Sequence, residues 1–136
     1  MSKPIPTIQK YMTFLPHTIG HDQPLTLAHK TMREHHIRHL PVLEGGKLVG
    51  VLSERDIALI ETLKDVDPAG VTVSEAMSQQ VYVVSPEARL DEVAADMAEH
   101  KYGSAIVVDN GKVVGMFTTV DGMIALRDLL HGRLAK

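Results

Sequence analysis

Apolar and polar positions run through the same order twice along this chain. In the second half Leu90, Val93, Ala94 and Met97 fall at i, i+3, i+4 and i+7, the stripe of an amphipathic helix. In the first half Leu25, Ala28, His29 and Met32 form a weaker stripe with a histidine in it. After each stripe come two short apolar runs around a turn. Residues 40–43 and 48–52 flank Glu44-Gly45-Gly46, and residues 105–108 and 113–117 flank Asp109-Asn110-Gly111. Gly-Gly and Asn-Gly supply the positive φ angles that close hairpin turns need. Short strands are predicted near residues 17–20 and 81–85, with Gln23-Pro24 and Ser85-Pro86 punctuating the helix entries. Second helices are predicted to start near Glu54 and Thr119. The predicted order is strand, helix, strand, strand, helix, twice.

Shifted by 65 residues, the halves match without a gap, residues 7–60 lying over 72–125. There are 12 identities in 54 positions, including Met12/Met77, Val42/Val107, Gly50/Gly115 and Asp56/Asp121. Ordinary residue usage would give about 3 or 4. The expected division is residues 1–64 for the first copy with its lead-in, a linker at 65–70, and 71–136 for the second copy with its C-terminal helix. A half of this size buries too little surface to stand alone. The expected fold is therefore α/β (α+β): two β-α-β-β-α repeats packed sheet to sheet with pseudo-twofold symmetry, leaving two related clefts.

Each hairpin ends on a glycine, two apolar residues, a hydroxyl residue, two variable residues and an aspartate. These are Gly50-Val51-Leu52-Ser53-Glu54-Arg55-Asp56 and Gly115-Met116-Phe117-Thr118-Thr119-Val120-Asp121. A hydroxyl residue three before an acid fits a helix N-capping box, so Ser53 and Thr118 have a purely structural reading. A helix N-terminus also offers free N–H groups and partial positive charge that suit a phosphate. Both roles can hold together. Each glycine reads either as relief of crowding in a bent strand or as room for a ligand against the backbone.

With the lead-ins Tyr11-Met12-Thr13 and Ala76-Met77-Ser78 at equal distances, the whole resembles a tandem pair of cystathionine-β-synthase (CBS) domains, a Bateman module, from about residue 7 to 130. It is most similar to the stand-alone bacterial type. The resemblance implies a regulatory small-molecule sensor and not an enzyme. It would bind an adenosine-containing ligand (AMP, ADP, ATP or S-adenosylmethionine) in the clefts, with no required cofactor. It also implies a homodimer and an unidentified protein partner. Asp56 and Asp121 would accept hydrogen bonds from the ribose hydroxyls, with Ser53 and Thr118 beside them. Arg38, His39 and Arg55 would reach the phosphates. Gly103, Ser104 and Val120 stand at the matching places of the second copy, so the Asp56 cleft would hold phosphate better. Val83, Ser104 and Ala105 would serve the Asp56 cleft, and Thr18 with the backbone of residues 37–39 the Asp121 cleft. Each of these also reads as plain core.

Composition narrows the alternatives. Fourteen Lys and Arg against 17 Asp and Glu give a formal charge of −3, without the basic excess of a nucleic-acid binder. There is no cysteine for a disulfide, thiolate site or nucleophile. The first residues show no secretory leader, and no run approaches the roughly 20 apolar residues of a membrane span. A cytoplasmic protein without membrane contact is expected. Eight histidines include His35, His36 and His39 at spacings of three and four. The first helix should end near His36, so no metal site is expected. No nucleophile elbow or Walker loop points to catalysis. The alternative to a sensor is a ligand-free dimerisation module, with Ile57, Ile60, Met123, Leu126 and Leu130 shared between core and interface.

Overall fold

The computed structural model describes residues 4–14 and 17–134. Its elements are β1 (Thr13–Phe14), β2 (Ile19–Gly20), α1 (Leu25–His35), β3 (His39–Glu44), β4 (Lys47–Ser53), α2 (Glu54–Glu61), α3 (Val73–Ala76), β5 (Val83–Val84), α4 (Leu90–His100), β6 (Ser104–Asp109), β7 (Lys112–Thr118) and α5 (Thr119–Leu134). From β2 to α2 and from β5 to α5 this is the predicted strand-helix-strand-strand-helix order. The chain divides into two compact units, Pro16–Val81 and Met1–Leu15 with Tyr82–Lys136. They are called here the Asp56 unit and the Asp121 unit.

Each hairpin forms for the expected reason. The turns carry positive φ at Gly45 (56°) and Gly46 (82°), and at Asn110 (52°) and Gly111 (75°). In the Asp56 unit β2 runs parallel to β3, which pairs antiparallel with β4. In the Asp121 unit β5, β6 and β7 repeat this, and β1 adds to the far edge of β7. Both hairpins slip register at one place, between Val42 and Leu43 and between Val107 and Val108.

The cores follow the stripes. Leu25, Ala28 and Met32 of α1 are buried with Leu40, Val42, Leu52 and Ile57, while His29 lies at the margin. Leu90, Val93 and Met97 of α4 are buried with Ala105, Val107 and Phe117. Ala94 corrects the expected stripe: it is exposed, because only the i, i+3, i+7 row faces the sheet. Where the Asp56 unit buries Leu52 and Ile57, the Asp121 unit places Phe117 and Gly122. A Cβ on Gly122 would meet the Phe117 ring at 3.7 Å, so the larger ring fills the volume of the missing side chain.

The lead-ins cross over. Residues 4–14 pack on the Asp121 unit and residues 71–78 on the Asp56 unit, through the same contacts at the same offset. Neither α1 nor α4 has a side-chain cap; Leu25 N–H donates to Val71 O and Leu90 N–H to Pro6 O, both at 2.9–3.0 Å. Val73 N–H donates to Gln23 O, as Ile8 N–H does to Ala88 O. Val73 and Ile8 are fully buried. Thr13 pairs with Met116 and Ser78 bridges Val51. The compact units thus take their lead-ins from the opposite sequence repeat.

Candidate functional site

In the Asp56 unit, β4 hands directly into α2 at the duplicated motif. Ser53 is extended, with φ −109° and ψ 159°, and caps the helix. Its Oγ accepts from Asp56 N–H at 3.1 Å, and its own N–H donates to Asp56 Oδ2 at 2.9 Å. This reciprocal box contributes about 1 kcal/mol. Among the described residues no hydrogen bond uses Asp56 Oδ1. Glu54 N–H donates to Arg38 O at 2.8 Å, which fixes the residue before β3 against the helix start. His39 stands opposite Ser53 in the β3–β4 ladder. Burial pushes the His39 imidazole below its usual pKa, with Asp56 and Glu54 opposing and Arg38 reinforcing the shift. His39 is therefore a neutral hydrogen-bonding group near neutral pH. Arg38 and Arg55 are exposed. So four predicted residues, Arg38, His39, Ser53 and Asp56, come together at one strand-to-helix corner, with Arg55 in the first turn of α2.

The Asp121 unit builds the same corner with different side chains. Thr118 N–H and Thr118 Oγ1 both donate to Asp121 Oδ2, at 2.9 and 3.2 Å. The hydroxyl here gives its hydrogen to the carboxylate, whereas Ser53 Oγ accepts from the backbone. Among the described residues Asp121 Oδ1 has no hydrogen bond. Burial pushes the half-buried Asp121 carboxyl up, against the two Thr118 donors that pull it down. Thr119 N–H donates to Gly103 O at 3.3 Å, and Ser104 pairs with Thr118. No cation stands where Arg38 and Arg55 stand.

Gly50 and Gly115 are explained by the crossed lead-ins. A Cβ on Gly50 would lie 2.6 Å from Met77 Sδ and 2.8 Å from Ser78 O. On Gly115 it would lie 2.7 Å from Met12 Sδ and 2.9 Å from Thr13 O. The close approach is by the chain's own backbone. The repeated Met12/Met77 and Gly50/Gly115 identities are thus one contact made twice, and they were the sequence signal for it. The same contact brings Thr13 and Phe14 beside β7, and Ser78 beside β4, a pairing that the lead-in motif did not reveal.

The remaining candidates are placed as follows. Val83 is exposed on β5, Ser104 opens β6, and Ala105 is fully buried in the core of the Asp121 unit. Thr18 is exposed just before β2 of the Asp56 unit. Neither unit by itself brings Val83, Ser104 or Ala105 to Asp56, or Thr18 to Asp121. Ile57 is core, Ile60 is half-buried, and Met123, Leu126 and Leu130 are exposed. α1 ends at His35, and His36 takes the left-handed conformation (φ 54°), so His35, His36 and His39 do not share a helix. Among the described residues Asp96, Glu99 and His100 have donor atoms within 4.8 Å of one another, all exposed. No helix among them is long and apolar enough to cross a membrane.

Comparison with known proteins now decides the family. The CBS domain model matches residues 1–60 and 73–128. The chain belongs to the CBS-domain family. It is 31% identical over 129 residues to the CBS domain-containing protein YhcV of Bacillus subtilis, covering 95% of this chain and 86% of that one. It is similar to the crystal structure of a protein designated AcuB from Vibrio cholerae, with TM-score 0.84, 29% identity and 98% of each chain covered. It is also similar to the CBS domain pair of protein MJ0100 in complex with 5′-methylthioadenosine and S-adenosyl-L-methionine. That likeness has TM-score 0.78 and 28% identity, covering 96% of this chain and 99% of that one.

Proposed function

We propose that this CBS pair is a regulatory sensor of adenosine-containing small molecules. Asp56 and Asp121 each accept the ribose hydroxyls on the carboxylate oxygen that the helix cap leaves over. The observation carrying the reading is that spare Oδ1 at a helix N-terminus, present in both units. It occurs in a chain similar to a CBS pair solved with two adenosyl ligands.

The two corners then take different ligands. Arg38, Arg55 and neutral His39 give the Asp56 corner two cations and a hydrogen-bond donor for a 5′-phosphate, as in AMP, ADP or ATP. The Asp121 corner, with Gly103, Ser104 and Val120 in those places, suits a 5′ substituent without phosphate, uncharged as in methylthioadenosine or net cationic as in S-adenosylmethionine. Binding shifts the module toward the arrangement that holds ligand more tightly, and the partner reads that shift. The module acts as a cytoplasmic homodimer on a partner protein. Calorimetry of the wild-type protein with AMP, methylthioadenosine and S-adenosylmethionine tests the reading. Saturable heat with at least one ligand, and a rise in melting temperature, is expected. No heat and no thermal shift with all three would leave a ligand-free dimerisation module instead.

A further inference from the structure

Two identities between the halves, Glu34/Glu99 and His35/His100, lie away from the strand-to-helix corners, at the C-terminal ends of α1 and α4. In the Asp121 unit a third group joins them. Asp96 stands one turn before His100, and one donor atom from each of Asp96, Glu99 and His100 lies within 4.8 Å of the others. The spacing i, i+3, i+4 puts all three on one face of the helix. The set is supported from behind. The Tyr82 hydroxyl donates to Asp96 Oδ2 at 2.8 Å. Tyr102 stacks on the His100 ring, with centroids 5.2 Å apart, and its ring is tilted against Tyr82 at 5.1 Å. Burial and the bond to Asp96 push the Tyr82 hydroxyl up to about 12, so it stays a donor. In the Asp56 unit Thr31 stands at the place of Asp96, and His17 at that of Tyr82. Thr31 turns its hydroxyl to Leu27 O at 2.9 Å, Glu34 sits 3.9 Å from Lys30, and His35 stacks on His17 with centroids 3.7 Å apart. The third carboxylate-bearing position and the phenol that holds it thus occur together in one unit and are replaced together in the other.

From this cluster we infer that Asp96, Glu99 and His100 bind a divalent transition-metal ion of the zinc type. Two carboxylates and an imidazole make a three-ligand set that leaves one coordination position open. Tetrahedral zinc sets its donors about 3.3 Å apart. All three side chains are exposed, so rotation on the helix surface brings them in without moving backbone. The imidazole favours zinc over magnesium or calcium, which take oxygen donors. The C-terminal end of α4 adds partial negative charge beside the ion. The Tyr82 hydroxyl fixes the Asp96 carboxylate as outer partners fix metal ligands in general. None of the residues assigned to a nucleoside above takes part.

Calorimetric titration of zinc chloride into the full chain, without nucleotide and in a buffer that does not bind metal, tests the site. The wild type should take up about one zinc ion per chain at this site with micromolar affinity, and a large excess of magnesium should not compete. His100→Gln should weaken zinc binding by about tenfold or more, and so should Asp96→Asn, which keeps an acceptor for the Tyr82 hydroxyl. Both positions are exposed, so the melting temperatures without zinc should match the wild type. His35→Gln, the equivalent change in the other unit, should leave the affinity within about twofold. A wild type that shows no saturable zinc heat would overturn the site, as would wild-type affinity in both His100→Gln and Asp96→Asn. Equal losses in His35→Gln and His100→Gln would also overturn it. Full competition by magnesium would overturn the zinc-type assignment, because it would remove the imidazole from the ligand set.

Discussion

The Asp56 and Asp121 units share their backbone wiring and differ in the side chains at the strand-to-helix corner. Both start their long helix on a carbonyl of a crossed lead-in, both close a positive-φ hairpin, and both press a methionine over the motif glycine. Yet one corner holds Arg38, His39 and Arg55, and the other Gly103, Ser104 and Val120. The difference separates two jobs. The backbone hydrogen bonds recur whatever the side chains, as Val71 and Pro6 or Gln23 and Ala88 show, while Gly50 and Gly115 are identical because a Cβ at either would overlap lead-in atoms. Under the proposed function, the residues that diverge, Arg38, His39 and Arg55 against Gly103, Ser104 and Val120, are the ones that would set what each corner accepts.

Four experiments sharpen or break that comparison. The largest effect is expected where the units are alike. Gly50→Ala and Gly115→Ala should each cost about 2 kcal/mol, because the new methyl overlaps lead-in backbone as well as a thioether. The two losses in chemical denaturation should agree; a large loss at one glycine and none at the other would break the equivalence. Next come the cations. Arg38→Ala with Arg55→Ala should weaken AMP binding by roughly tenfold and methylthioadenosine binding by less than twofold, read by calorimetry. Equal loss for both ligands would remove the phosphate role.

The caps should then separate the units. Ser53→Ala should destabilise by about 1 kcal/mol. Thr118→Ala should cost less than half of that, since the Thr118 hydroxyl holds the Asp121 carboxylate and not the first-turn N–H. Equal losses would contradict the different hydrogen-bond directions. The smallest effect is the response to acid, which has opposite sign in the two units. His39 has a lowered folded pKa, so its contribution to stability is present above 6.5 and is lost as pH falls toward the folded value. Asp121 has a raised folded pKa, so its contribution is full below 3.8 and is lost as pH rises through the folded value. His39→Gln should therefore flatten the loss of denaturation midpoint just below pH 6.5. Asp121→Asn should flatten the change above pH 3.8. Unchanged pH profiles in both variants would refute these assignments.

Much of the fold was legible because the signals were local. Apolar period, turn chemistry and the duplicated glycine-to-aspartate motif each act within a few residues, and the element order followed from them. The crossed lead-ins were not legible. β1 is two residues long and its counterpart at Ser78 is a single bridge, too short to show a period. A repeat alignment also cannot say which copy's sheet a segment covers. Ala94 was misread for a related reason: a small apolar residue beside a buried row looks like part of it. At the strand-to-helix corner the motif residues come together, because capping chemistry ties them together in sequence. Thr13 and Ser78 stood in the repeated lead-in motif, but their pairing with β7 and β4 was not legible, because only the tertiary contact makes it.

The central claim is that one scaffold carries two nucleoside corners of unlike charge preference. The most direct measurement is calorimetric titration of AMP into Asp56→Asn and into Asp121→Asn, with both variants first shown to melt as folded proteins. The account predicts that AMP affinity falls by roughly tenfold or more in Asp56→Asn, the loss of a hydrogen bond to a charged group, and stays within twofold of wild type in Asp121→Asn. AMP binding that survives in Asp56→Asn and disappears in Asp121→Asn would contradict it.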